Sequence, residues 1–297
     1  GFLIALRAKG EKSAEIAGFA QAMRDKMTKI ESVDDAIDMC GTGGDASGTF
    51  NISTAASFVV AGAGVPVAKH GNRSMTSKSG SADVLTALGV DIVLPHEKVS
   101  ECIKTIGIGF MFAPSLHPAM KYAMGARKAL GTRTVFNILG PLCNPAGVDR
   151  QLMGIFEGSL TDKVAKVLQK LGSKHAMVVH GYEGLDEIST TASTKISHLK
   201  MDNIIESTAI SSSDFGFEKA TLDDLKGGEP EENAVIIKNI LDGTDKGKKA
   251  DIVILNAAAG IFVGGKAENW ADGIRTAREA VNSGAALDKL NQLAAVK

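Results

Sequence analysis

Three stretches of this chain carry residue types whose spacing suits the handling of a charged small molecule. The first is Cys40-Gly41-Thr42-Gly43-Gly44-Asp45-Ala46-Ser47-Gly48-Thr49-Phe50-Asn51-Ile52-Ser53-Thr54. A loop largely without Cβ atoms lets backbone N–H groups close around an anion, and a helix opening at its end adds free donors and a favourable dipole. The second is Lys69-His70-Gly71-Asn72-Arg73-Ser74-Met75-Thr76-Ser77-Lys78-Ser79-Gly80-Ser81. There lysine offers a point charge, arginine a fork, and small hydroxyl residues short donors for phosphate. The third is His180-Gly181-Tyr182-Glu183-Gly184-Leu185-Asp186-Glu187-Ile188-Ser189. Adjacent carboxylates in a glycine-bounded loop suit magnesium, a hard cation that is commonly shared between protein oxygens, waters and a diphosphate.

Two familiar phosphate motifs are excluded on inspection. A P-loop ends in Gly-Lys-Ser/Thr, and no lysine closes the first stretch. Gly41-x-Gly43-x-x-Ala46 fits the dinucleotide fingerprint loosely, but that fingerprint wants a carboxylate about 20 residues on for a ribose hydroxyl. None is there: from Ala46 to Ala82 the chain has no Asp or Glu, only Lys69, Arg73 and Lys78 as charges. An acid-free, modestly basic stretch of this kind suits a ligand with several phosphates better than a dinucleotide.

The elements that must position these loops follow from hydrophobic period and turn residues. Short apolar runs at 37–40, 65–68, 152–156 and 176–179 read as strands, and 195–210 alternates as a hairpin. Helical patterns run over 13–27, 51–60, 82–88, 96–106, 118–130 and 161–171, and the tail from 231 is helical around a solvated loop at 243–247. Strands alternating with helices predict an α/β fold with a mainly parallel, helix-covered sheet. The stretch 96–139 reads as mostly helical. With the N-terminal helix it makes a small all-helical domain, discontinuous over 1–34 and 92–148, beside an α/β domain over 35–91 and 149–297. The loops at 41–54 and 69–81 then fall at the strand ends where parallel sheets receive ligands.

Composition narrows the class further. The 297 residues hold 44% apolar and 23% charged types, enough for a sizeable core. Glycine accounts for 33 residues and aromatics for 5%, which suits many tight turns and gives little for stacking nucleobases. Lys+Arg 33 against Asp+Glu 34 gives a net charge of −1, which argues against a dedicated nucleic-acid binder. Three scattered cysteines, Cys40, Cys102 and Cys143, form no disulfide framework or zinc pattern, so a reducing cytoplasm is expected. Cys40 borders the glycine loop as a small core residue rather than a nucleophile. No apolar run reaches the ~18 residues of a membrane span; the best, 252–263, is interrupted by Asn256. No basic-then-apolar leader is visible, and the chain opens inside a helical pattern, as though an upstream segment were missing.

Taken in order, these motifs resemble the anthranilate phosphoribosyltransferases of tryptophan biosynthesis. The resemblance rests on Gly41-Thr42-Gly43-Gly44-Asp45, Asn51-Ile52-Ser53-Thr54, Lys69-His70-Gly71-Asn72-Arg73-Ser74 and Leu185-Asp186-Glu187. It continues in a central block from His117-Pro118-Ala119-Met120 through Ala126-Arg127-Lys128 to Gly131-Thr132-Arg133-Thr134-Val135-Phe136-Asn137, and on to Asn144-Pro145. It covers essentially the whole chain. It implies a small helical domain plus a larger α/β domain, paired as a homodimer through the helical part, with several more N-terminal helical residues than Gly1 allows. It implies further that Gly41, Gly44, Asp45, Thr49, Asn51, Ile52, Ser53 and Thr54 hold the pyrophosphate and ribose of phosphoribosyl pyrophosphate. Lys69, His70, Gly71, Asn72, Arg73, Ser74, Ser77 and Ser81 would continue that site. Ser53, Asp186 and Glu187 match the magnesium positions. Gly41, Asn72 and Arg127 match residues facing anthranilate, with His70 and His117 along its route. A pyrimidine nucleoside phosphorylase shares this plan, but its usual His-Ser-Thr-Gly-Gly loop does not stand at Gly41. A non-catalytic nucleic-acid-binding relative would be expected to lack the acidic pair and to carry a basic surface.

Overall fold

The structure, a computed structural model, describes residues 1–45, 47–74 and 78–297. Seven strands form one sheet: β1 (Ile37–Gly41), β2 (Val67–Gly71), β3 (Ile108–Phe112), β4 (Arg150–Gly154), β5 (His175–Gly181), β6 (Thr194–Leu199) and β7 (Ile205–Ile210). Their spatial order is β3-β2-β1-β4-β5-β6-β7. β3, β2, β1, β4 and β5 pair in parallel, while β6 and β7 close one side as an antiparallel hairpin. The mainly parallel, helix-covered sheet is therefore as the sequence predicted, and so is the hairpin.

Thirteen helices flank the sheet among the described residues: α1 (Phe2–Lys9), α2 (Ser13–Arg24), α3 (Ile52–Gly62), α4 (Ser81–Ala87), α5 (His96–Thr105), α6 (Ala113–Leu116) and α7 (Lys121–Leu130), then α8 (Phe136–Leu139), α9 (Thr161–Lys170), α10 (Pro230–Leu241), α11 (Lys248–Val263), α12 (Trp270–Asn282) and α13 (Ala285–Ala295). Side chains alternate across the central strands, as strand pleating requires. Leu152, Met177 and Val179 join the core under α3 and α11, while Met153, Ala176 and Val178 join a second core with Val164, Val167 and Leu168 of α9. Leu6, Ile16 and Ala20 of the N-terminal helices pack into that second core, together with Val135, Ile138 and Leu142. Helical segments from both ends of the predicted lobe thus rest on the α9 side of the sheet.

One strand lies inside the stretch that reads as mostly helical from the sequence. Ile108–Phe112 pairs in register with β2, Val67 opposite Ile108 and Lys69 opposite Phe110; it falls between the helical patterns at 96–106 and 118–130, where the sequence pattern assigns no strand. A short continuous apolar run carries no period, so a buried strand and a buried helical turn look alike until a partner strand claims its backbone. α5 packs against this strand, so the α/β layer extends into the stretch expected to be helical.

α11 is apolar almost all round, and it lies buried from Ile252 to Ile261. Close helix packing follows from glycine: a Cβ at Gly273 of α12 would stand 2.7 Å from the Ala258 carbonyl oxygen of α11. That oxygen belongs to the backbone and cannot swing aside. Gly273→Ala gains up to about 1 kcal/mol in helix propensity, yet overpacking here costs about 1–3 kcal/mol. A net loss of up to about 2 kcal/mol is expected, read as a lower urea midpoint with unchanged slope.

Candidate active site

In the sheet order the chain reverses direction between β1 and β4, and ligands of open parallel sheets bind outside the carboxyl ends of strands at such a switch. β1 ends at Gly41 there, β4 at Gly154 and β2 at Gly71. The loop after β1 turns through Gly43, Gly44 and Gly48 at φ of 64°, 75° and 70°. A side chain would be strained at all three. The loop enters α3 at Ile52, buried against the core, so the helix N-terminus faces the cleft.

The acid-pair loop crosses onto this edge. Asp186 Oδ2 accepts from the Gly43 amide at 2.7 Å, and Glu187 Oε1 accepts from the Ser53 amide at 3.1 Å. The seat exists because two strand ends are glycine: a Cβ at Gly41 would collide with Oδ2 of Asp186, and one at Gly154 with the Asp186 carbonyl. Leu185 and Ile188, both fully buried, anchor the loop on either side of the pair.

The result is a cleft of ≈ 380 Å³. Of the sequence-predicted residues, Gly41, Gly44, Asp45, Thr49, Asn51, Ile52, Ser53 and Thr54 line it from the first loop. Lys69, His70, Gly71, Asn72, Arg73, Ser74 and Ser81 line it from the second, and Arg127, Asp186 and Glu187 line it as well. His117 stands behind His70, its Nε2 3.2 Å from the Nε2 of His70. Ser77 lies outside the described residues, as does Ala46 of the glycine loop. Sequence reasoning assigned no role to Thr42, Ser47, Phe136, Asn137 or Pro141, which also line the cleft. Arg133 was missed too: its Nη2 donates to the Gly44 carbonyl, and its guanidinium lies 4.1 Å from the Phe156 ring centroid. No spacing rule links a residue after α7 to a loop after β1, so only the motif order held that signal.

Several of these side chains serve the scaffold at the same time. Lys69 is buried and donates to the Met39 carbonyl at 2.6 Å. Burial lowers its pKa, opposed by Asp38, Cys40 and Glu187. Arg73 Nη1 pairs with Asp83 at 2.7 Å on the outer rim. Asn51 Nδ2 donates to the Ser79 carbonyl, and Asn51 Oδ1 accepts from Ser79 Oγ and Asn233 Nδ2. Asn51 therefore ties the two ligand loops together. Cys40 is buried and its thiol is pushed well above its usual range, first by burial and then by Asp38. It is a core residue, not a nucleophile.

The electrostatics favour a cation. Burial, reinforced by Asp45, pushes the Asp186 carboxyl up to about 7. Burial and then Asp186 push Glu187 well above the carboxylate range, against an opposing pull from Lys69. Two desolvated carboxyls side by side repel unless a positive charge sits between them. The donor set is oxygen only, which suits magnesium rather than a softer metal. Among the described residues no three His, Cys, Asp or Glu side chains form a ready metal cage.

Fold and site together define a glycosyltransferase built from a helical bundle and an α/β domain. The Glycosyl transferase family a/b domain matches residues 33–287, and its helical bundle domain matches residues 1–27. The chain belongs to the anthranilate phosphoribosyltransferase family. It is 53% identical over 294 residues to the anthranilate phosphoribosyltransferase of Thermoanaerobacter sp. strain X514, covering 99% of this chain and 86% of that one. It is 54% identical over 294 residues to that of Methanocorpusculum labreanum, covering 98% and 86%. The crystal structure of the Thermus thermophilus enzyme superposes with a TM-score of 0.94 at 42% identity, over 99% of this chain and 87% of that one. The Saccharomyces cerevisiae enzyme in complex with PRPP and Mg gives 0.90 at 32% identity, over 98% and 82%. These matches support the transferase reading rather than a phosphorylase or a nucleic-acid-binding relative.

The histidine pair also has a stability consequence. Burial, with His117 beside it, lowers His70 to about 3, and burial lowers His117 as well. Both rings are neutral in the fold at neutral pH, whereas the unfolded chain protonates them near the usual ~6.5. A depressed folded pKa contributes stability above the unfolded value and loses it as pH falls toward the folded one. The unfolding midpoint is expected to drop between pH 6.5 and about 3, with a shallower slope in His70→Gln, measured by urea titration at successive pH values.

Proposed function

We propose that this chain transfers the 5-phosphoribosyl group of phosphoribosyl pyrophosphate to the amino nitrogen of anthranilate, releasing pyrophosphate, with magnesium as cofactor. The observation that carries this is the meeting of the glycine loop, the 69–81 loop and the Asp186-Glu187 pair at one cleft, with Arg127 across it. The yeast relative holds PRPP and Mg on the same fold.

The reaction asks little of side chains as acids or bases. A C–N bond forms at the anomeric carbon as the bond to the diphosphate oxygen breaks, and positive charge builds on the ribose. An arylamine nitrogen is largely neutral at physiological pH, so no strong base is needed to free its lone pair. What requires stabilisation is the departing diphosphate, and positioned donors do this without reorganising. Backbone amides of the glycine loop and the first turn of α3 other than those of Gly43 and Ser53, which already donate to Asp186 and Glu187, supply donors, with Ser53 and Thr54 hydroxyls beside them. Asn51 keeps that turn in register with the 69–81 loop. Ser53, Asp186 and Glu187 would hold magnesium, which when bound would neutralise the leaving group's charge.

The anthranilate side is walled by different groups. The neutral His70–His117 pair carries no charge for a carboxylate and so frames the aromatic's route. Arg127 is the half-buried cation on that side, its guanidinium 5.6 Å from the Phe136 ring centroid, and its planar fork matches a carboxylate. Gly41 and Asn72 complete this side.

The helical part supports pairing as a homodimer: Phe2 and Ile4 of α1 and Tyr122 and Met124 of α7 expose 67%, 42%, 81% and 43% of their surface. Free buried Cys40, Cys102 and Cys143 support a reducing compartment, the cytoplasm. No helix among the described residues is long and apolar enough to cross a membrane.

The direct test is the loss of anthranilate fluorescence on adding phosphoribosyl pyrophosphate with magnesium, and its absence without the metal. Persistent fluorescence, or phosphorolysis of thymidine instead, would overturn the assignment. Arg127→Ala is expected to raise the anthranilate KM by ~10–100-fold, the scale of charged hydrogen bonds worth about 1.5–3 kcal/mol. The KM for phosphoribosyl pyrophosphate should stay nearly unchanged; equal loss of both in steady-state kinetics refutes this role. Asp186→Asn with Glu187→Gln is expected to cut turnover by at least about tenfold across a magnesium titration, and an unchanged titration curve counts against the metal assignment.

A further inference from the structure

α11 runs as a buried apolar rod with one polar residue in its middle, Asn256, which is fully inaccessible to solvent. Its carboxamide is not merely tolerated there. Oδ1 accepts from the Ile188 amide at 2.9 Å, and Nδ2 donates to the Ile188 carbonyl at 2.9 Å and to the Ile252 carbonyl of its own helix at 2.9 Å. The side chain thus pairs with both polar groups of one residue, as a neighbouring strand would, inside an otherwise apolar core. A buried backbone group without a partner is costly. Leucine or alanine would suit the helix better, and neither can make these bonds.

Ile188 is the residue that follows Glu187. On its other side the chain is held with similar care. The Ser189 amide donates to Thr194 Oγ1 at 2.8 Å, and Glu183 Oε1 accepts from both Ser189 Oγ and Thr191 Oγ1. Upstream, the Gly181 amide closes the loop on the Leu185 carbonyl at 2.9 Å. Asp186 and Glu187 stand between these restraints, and their own carboxylates each meet one backbone amide across the cleft edge, that of Gly43 and that of Ser53. We infer that Asn256 is a positioning residue for the acid pair: it holds the Ile188 peptide so that two mutually repelling, desolvated carboxylates keep their place at the sheet edge. This inference rests on the assignment of Asp186 and Glu187 as metal carriers. Polar partners that orient metal-binding groups are commonly worth 10–100-fold in affinity or activity.

The test compares the full-length wild type with Asn256→Leu and Asn256→Ala, and uses Asp186→Asn as a reference. Two quantities are read: amide hydrogen exchange of the ligand-free protein, and the magnesium concentration giving half-maximal turnover. The Ile188 amide is expected to exchange at least about tenfold faster while β5 amides stay protected, and the magnesium requirement to rise about tenfold or more. The anthranilate KM should stay at its wild-type value. If Asn256→Leu does not fold, Asn256→Ala, which leaves space for a water between the same groups, carries both readings. Wild-type exchange at Ile188 overturns the inference. So does faster exchange with an unchanged magnesium requirement, because the contact is then structural only. If Asp186→Asn raises the requirement while the Asn256 variants do not, the positioning role falls and the metal assignment stands. If Asp186→Asn leaves the requirement unchanged, the metal assignment falls, and this inference with it.

Discussion

The seating of Asp186 and Glu187 is the constraint around which the rest of this site is arranged: the Asp186 carboxyl lies against the bare end of β1, its backbone against the bare end of β4, and the Glu187 carboxyl at the first turn of α3. Asp186 thus lies where any Cβ on Gly41 or Gly154 would be. Burial and mutual repulsion raise the cost of ionising both. That cost falls when a positive charge enters between them.

Much of the scaffold follows from meeting that demand without flexible side chains. The loop after β1 bends through left-handed glycine conformations at Gly43, Gly44 and Gly48, which keeps side chains off this edge of the cleft. Lys69 and Asp38 are buried between the strands beneath, where they tie β1 to β2 through the Met39 carbonyl and the His70 amide. Asn51 spans the two ligand loops and α10 through Asn233. Arg133, from the loop between α7 and α8, holds the Gly44 carbonyl and joins that segment to the glycine loop. Every one of these contacts crosses between elements distant in sequence. The cleft is therefore rigid only when the whole fold is.

Charged and neutral groups share the one cleft: the acidic pair and the glycine loop line it together with Arg127, Phe136 and the neutral His70, behind which His117 stands. The proposed transfer needs no titrating residue, in keeping with chemistry that depends on placement more than on proton transfer.

The period of apolar residues and the turn glycines were enough to place β1, β2, β4, β5 and the hairpin, because each is short, apolar and bounded by breakers. The glycine loop, the acid-free stretch after it and the Asp186-Glu187 pair were legible for a similar reason: their chemistry lies in local composition. The strand Ile108–Phe112 was not legible, since an apolar run without period is decided by the neighbour that pairs with it. Nor could spacing show that Gly154 and Gly41 jointly seat Asp186, one against its backbone and the other against its carboxylate, that Arg133 reaches Gly44, or that Asn256 clasps Ile188 across 68 positions. Hydrogen bonds and close approaches between distant segments exist only once the sheet and α11 have packed. Residue type chose the ligands this chain can hold, and tertiary packing alone chose where each group stands.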